Sequence, residues 1–130
     1  MHALLRTASL CLSTLAATAA FAGPPVPSLR LEIGGAEVPY EVELALPDRG
    51  CAVSSDSRDR WQHEVKICRE GGDDAAPVLS FEILRSERGR DGVHTQRAQI
   101  RGALPRGQRT TLASQRGEGT TPLLVSATLR

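Results

Sequence analysis

The feature that most restricts how this chain can fold is a period-two alternation of apolar and polar residues, punctuated by glycine, proline or aspartate about every ten positions. Successive side chains of a strand point to opposite faces, so each such run offers one face for burial and one for water. Leu29, Leu31 and Ile33 alternate with Ser28, Arg30 and Glu32, and Gly34-Gly35 supply the residues of a hairpin turn. Val38, Tyr40, Val42, Leu44 and Leu46 continue the period with Glu37, Glu41 and Glu43 between them, while Pro39 demands a late start or an edge position. Trp61, His63, Val65 and Ile67 share one face of a further strand, and Cys68 falls on the other.

Leu79, Phe81 and Ile83 repeat the pattern, and Asp91-Gly92 reads as the tight turn joining the segment from Leu79 to Arg85 with that from Val93 to Arg101. Ser54 to Arg60 and Ser86 to Gly92 are polar or charged and read as loops. A corner at Leu104-Pro105-Arg106-Gly107 precedes a short threonine-containing strand from Arg109 to Ser114, and Leu123 to Leu129 is a last strand rich in β-formers. After the first residues, no segment sustains a helical period. The expectation is an all-β domain, a small antiparallel Ig-like β-sandwich of seven to eight short strands with one disulfide; a small β-barrel is the alternative.

Residues 1–22 read differently. A basic start ending at Arg6, an apolar stretch from Ala8 to Ala20 and the small-x-small run Ala20-Phe21-Ala22 form a secretory signal peptide cleaved after Ala22. The stretch is too short to span a bilayer, and Gly23-Pro24-Pro25 stops any helix behind it, so the mature chain has no transmembrane segment. Leu10, beside Cys11 where a lipoprotein signal wants a small residue, argues against lipid anchoring. The organisation predicted is a signal peptide (1–22), an extended proline-rich arm (23–28) and a single β-rich domain (29–130), exported to the periplasm or beyond.

Export leaves Cys51 and Cys68 as the cysteines of the mature chain, bound for an oxidising compartment, and they are expected to be bonded. Charge is polarised along the chain: Gly23 to Leu84 holds six basic and twelve acidic residues, Arg85 to Arg130 nine basic and three acidic. If the halves interleave as strands, these charges neutralise one another; if they segregate, a basic surface faces anionic partners. The absence of asparagine rules out an N-glycosylation sequon.

Residue types that carry catalysis are sparse. His63 starts no metal motif, because no second histidine stands four residues on, and its face, shared with Trp61 and Val65, makes it a packing residue. The serines from Ser54 to Ser57 lack a glycine elbow, Asp73 and Asp74 are turn residues, and phosphate-binding or dinucleotide fingerprints are missing. No catalytic residue, metal or cofactor is therefore expected. Arg85, Arg88, Arg90, Arg97, Arg101, Arg106, Arg109 and Arg116 raise the question of nucleic acid, but no aromatic side chain is interleaved with them to stack on bases, and nucleic acid is not expected as a partner.

The reading that follows is a non-enzymatic accessory or binding protein of the bacterial envelope, whose partner is a protein or an anionic envelope component. Its contacts are expected from Trp61, within the loop enclosed by Cys51 and Cys68, or from the basic strands carrying Arg97, Arg101 and Arg109. At the level of architecture alone, the length, one disulfide, one mature Trp and β-strand content are similar to small periplasmic protease inhibitors of Gram-negative bacteria. That resemblance implies, as the alternative function, inhibition by a mature amino-terminal arm, here Gly23 to Arg30, entering a protease cleft.

Overall fold

The computed structural model describes residues 27–117 and 119–130; the signal peptide expected over 1–22 and the expected arm as far as residue 26 lie outside the described residues. Eight strands follow in chain order: β1 (Ser28–Gly34), β2 (Tyr40–Ala45), β3 (Gly50–Arg58), β4 (Trp61–Gly72), β5 (Pro77–Gly89), β6 (Gly92–Ala103), β7 (Arg109–Gln115) and β8 (Leu123–Leu129). They form two four-stranded antiparallel sheets, ordered β2-β1-β8-β7 and β3-β4-β5-β6. Each strand pairs with its neighbour in sequence except at the two places where the chain crosses between sheets, from β2 to β3 and from β6 to β7. Because β1 also pairs with β8, the order runs around the molecule as in an up-and-down barrel, yet no ladder joins β2 to β3 or β6 to β7. The barrel alternative fails at these two open corners. The Ig-like expectation holds for the two-layer architecture, while the β3-β4-β5-β6 meander replaces the crossed strand order of immunoglobulin domains.

Alternation explains which strands fill the core. Leu29, Leu31 and Ile33 of β1 and Leu123, Val125, Ala127 and Leu129 of β8 face Val65 and Ile67 of β4 and Leu79, Phe81 and Ile83 of β5, all of them buried. The four central strands thus supply most of the apolar contact, and Leu46 and Leu104 plug the corners where the chain changes sheets. Edge strand β2 turns Tyr40, Val42 and Leu44 inward but leaves them half-buried, and Pro39 lies just before its start, as an edge strand permits.

Two segments read as loop from the sequence are strand. Ser54 to Arg58 belongs to β3, whose backbone pairs with β4 from Gly50↔Arg69 to Arg58↔Trp61. As an edge strand with only Ala52 and Ser54 half-buried, β3 needs the ladder to β4 and not an apolar face. Similarly, Ser86 to Gly89 extends β5, and the tight turn is Arg90-Asp91, one residue earlier than expected, closed by the pair Gly89↔Gly92. At the amino-terminal end, the Pro27 carbonyl accepts the Leu46 amide (2.8 Å) and Ser28 already lies in β1, so an extended arm ends at Pro27.

Cys51 and Cys68 are bonded and stand directly opposite each other on β3 and β4, on the outer face of their sheet. The bond therefore fastens an edge strand to its neighbour and does not bridge the two layers. Charges of the two halves of the sequence also meet on these outer faces: Arg101 pairs with Glu70 (2.7 Å) and Arg109 with Glu32 (2.7 Å), while Arg30 pairs with Glu41 (2.8 Å) within the first half. Interleaving, not segregation, is what the fold does with the polarised sequence. Among the described residues, no helix is long and apolar enough to cross a membrane.

Removing the disulfide in a Cys51→Ala/Cys68→Ala variant frees a loop of 17 residues in the unfolded chain. The expected result in urea unfolding is a loss of about 2–3 kcal/mol with the circular dichroism of the sandwich retained.

Candidate functional site

The corner left open between β2 and β3 is a cleft of about 100 Å³. Its floor comes from the inner face of β4, where Trp61 and His63 stand two residues apart, and its walls from the ends of the flanking edge strands. Tyr40, the first residue of β2, reaches across from the other sheet and stacks on His63, with ring centroids 4.4 Å apart and planes 4° from parallel. The Tyr40 hydroxyl lies 3.4 Å from Ser54 Oγ on β3. Pro39 and Glu41 border the cleft on one side; Asp56, Arg58 and Asp59 border it on the other.

Strand register places the charged groups. On the inner face of the second sheet, Asp56, His63, Arg85 and Gln96 form one row across β3, β4, β5 and β6, because Asp56 pairs with His63, His63 with Arg85 and Arg85 with Gln96. The adjoining row is Arg58, Trp61, Glu87 and His94. Asp59 opens the two-residue turn into β4 with φ of 53°, a left-handed conformation that aspartate tolerates better than most residues.

Arg85, 1% exposed, organises the wall behind the cleft. Its Nε (3.0 Å) and Nη2 donate to Gln96 Oε1, Nη1 donates to the Gly34 carbonyl (3.0 Å), and Nη2 also reaches the carbonyls of Pro122 (2.6 Å) and Thr121 (3.3 Å). Gln96 returns a bond to the Thr121 carbonyl (2.6 Å). A cation buried against neutral carbonyl oxygens is costly unless every donor is used, and burial accordingly lowers the Arg85 pKa, with the Glu87 carboxylate opposing the shift. Its guanidinium carbon also lies 5.1 Å from the centroid of Trp61, and that of Arg60 lies 5.7 Å from the same ring. The result fixes the Trp61 ring and ties the second sheet to the β1–β2 turn and to the segment leading into β8. The tie explains Gly35: with φ of 94°, it sits where an added Cβ would fall 1.9 Å from the Pro122 carbonyl oxygen.

His63 is 5% exposed, and among the described residues no protein hydrogen bond reaches its imidazole. Burial first, and then the positive charge of Arg85, lower its pKa, against a smaller opposing pull from Asp56. The ring is therefore neutral at pH 7 and presents one donor and one acceptor nitrogen. His94, by contrast, is exposed near the β5–β6 turn.

The residues expected from the sequence separate into three places. Trp61, 9% exposed, is a wall of the cleft and not the tip of a loop. Arg97 and Arg101 lie on the outer face of the second sheet, whereas Arg109 projects from the outer face of the first, where it meets Glu32. The fold does not bring these three arginines together. Cys51 and Cys68 lie apart from all of them in the disulfide. Tyr40, Asp56, Arg58 and Asp59 carry no sequence signal as binding residues, and Arg85, in the sequence one of eight late arginines, stands at even spacing from Phe81 and Ile83, the period of the buried face. Among the described residues, no three His, Cys, Asp or Glu side chains are grouped to hold a metal ion.

Comparison with protein families, with curated proteins and with solved structures finds no match for this chain.

Two outcomes are expected from these contacts. Arg85→Met removes the guanidinium donor from the carbonyls of Gly34 and Pro122, leaves that of Thr121 to Gln96 alone, and should cost about 2–4 kcal/mol in urea unfolding. For His63, the unfolded chain binds a proton more readily than the folded one, so stability is full above the unfolded-state value of about 6.5 and falls as pH drops from there toward the lowered folded-state value. Unfolding free energies at pH 8 and pH 5 should differ by less in a His63→Phe variant than in the wild type.

Proposed function

We propose that this protein is a non-enzymatic binding protein of the bacterial envelope, exported by its signal peptide, oxidised in the periplasm, and engaging its partner through the cleft between β2 and β3. The observation that carries the reading is the neutral, nearly buried imidazole of His63, stacked on Tyr40 and facing a cleft bordered by Asp56, Arg58 and Asp59. A concave site with aromatic walls and a few convergent polar groups is the usual form of a recognition site. The disulfide suits an oxidising compartment. Two features turn the reading away from the arginine surface: Arg101 and Arg109 are already held by carboxylates, and Arg97 and Arg101 project from the opposite outer face to Arg109.

The test is retention of envelope material on the immobilised, oxidised protein. A component retained by the wild type and by an Arg97→Ser/Arg101→Ser/Arg109→Ser variant, but lost with Tyr40→Ala at both low and raised salt, is the expected result. Retention that follows the arginines and disappears as salt is raised would reject the cleft as the recognition surface.

A further inference from the structure

We infer that the cleft recognises a neutral saccharide, bound by its hydroxyl groups with one apolar face of the sugar ring against the half-buried Tyr40. The inference rests on the cleft being the binding surface and adds the chemical class of what enters it. Three requirements select that class.

The first is charge. Glu41, Asp56 and Asp59 bring three carboxylates to the cleft, and three guanidiniums stand against them: Arg58 on the border, Arg30 bonded to Glu41 at 2.8 Å, and Arg85 behind the Trp61 ring. No excess of either sign is left to favour an ion, and a bare cation would feel the buried charge of Arg85 through a medium that screens poorly.

The second is the pattern of donors and acceptors. Asp56 and Asp59 accept only, Arg58 donates only, and the neutral imidazole of His63 does one of each. An alkylammonium has no acceptor for Arg58, a carboxylate or phosphate diester has no donor for the aspartates, and a phosphate monoanion or dianion would set its own negative charge against them. A hydroxyl group both donates and accepts, and a ring carrying several in fixed relation can satisfy all four side chains together. His63 contributes a neutral ring to the cleft lining, and no buried side-chain nitrogen or oxygen among the described residues lacks a hydrogen-bond partner. Asp56, directly opposite His63 across the β3–β4 ladder, gives an adjacent acceptor, the arrangement that a pair of neighbouring hydroxyls bridges.

The third is shape. Tyr40 is stacked face to face on His63, ring centroids 4.4 Å apart and planes 4° from parallel, and Arg85 and Arg60 lie over the Trp61 ring, so the half-buried Tyr40 is the ring of the cleft lining with area left for a ligand. Trp61 is held by Arg85 and Tyr40 by its stack on His63, so little order remains to be gained when a ligand enters. The carbon-bound hydrogens on one side of a pyranose present the flat apolar face that such a surface accommodates.

Trp61 is the single tryptophan of the chain, so its fluorescence reports on the cleft wall alone. The experiment titrates the oxidised protein, purified from the periplasm of an expression host, with the methyl glycosides of mannose, galactose, glucose and N-acetylglucosamine. Butylammonium, inorganic phosphate and leucine serve as cationic, anionic and zwitterionic probes, and soluble cell-wall glycan fragments distinguish a polymeric source from a free sugar. A saturable change with at least one neutral glycoside or glycan fragment, about tenfold weaker in Asp56→Asn and unaltered in Arg97→Ser, is the expected result. Asp56 is exposed on an edge strand, so its variant is expected to fold; His63→Phe, which keeps the stack and removes the hydrogen-bonding nitrogens, should weaken the same response. Responses confined to the charged or zwitterionic probes, no response at all, or equal affinity in Asp56→Asn would overturn the saccharide. If an envelope component is still retained through Tyr40 in that event, the binding-protein reading stands and the ligand class alone has failed.

Discussion

One buried guanidinium holds the cleft end of this molecule together. The two sheets are pressed together by aliphatic side chains over most of their length, a non-directional force that fixes neither how the turns at one end sit nor how a ring above them is oriented. Arg85 supplies that direction. Its forked donors reach carbonyls of the β1–β2 turn and of the approach to β8, so the position of the first sheet relative to the second is set by hydrogen bonds at the end where the cleft lies. The same charge supports the Trp61 ring and adds to the burial that lowers the His63 pKa. A lysine could not replace it, having one ammonium where three directions are served.

What the sequence reveals depends on how local the deciding forces are. Strands with one face in the core, such as β1, β4 and β8, announce themselves through Leu29-Leu31-Ile33, Val65-Ile67 and Leu123-Val125-Ala127-Leu129, because burial imposes their alternation. β3 gives no such signal. Its inner face borders a cleft, its outer face water, and its order comes from a ladder and a disulfide supplied by β4. Arg85 is hidden for a related reason: a charged residue in an apolar series looks like the end of the series until the carbonyls that receive it, from positions far along the chain, are in place.

The cleft itself could not have been read from spacing. Trp61 and His63 are visible as neighbours on one strand face, but Tyr40 comes from the other sheet, and Asp56, Arg58 and Asp59 come from a segment whose polarity resembles a loop. Their meeting is a product of the crossing from β2 to β3, where the ring of strands is left open. The charge polarity of the sequence shows the reverse case: it was conspicuous along the chain, and the antiparallel pairing of early with late strands turns it into local pairs such as Arg109 with Glu32.

The pairing of β1 with β8 brings Ser28 and Arg130 together, the Arg130 amide donating to the Ser28 carbonyl at 2.9 Å. The described fold is therefore circular in all but covalent structure, and the covalent break falls between two core strands. A chain rejoined there through a short linker and reopened at Arg90-Asp91 would retain every ladder while making the β1–β8 pairing local. That pairing is the longest-range contact in the sandwich, but reopening at Arg90-Asp91 makes the twelve residue pairs of β5 with β6 end-to-end in exchange for the six of β1 with β8, so such a chain should reach the same structure by a slower route.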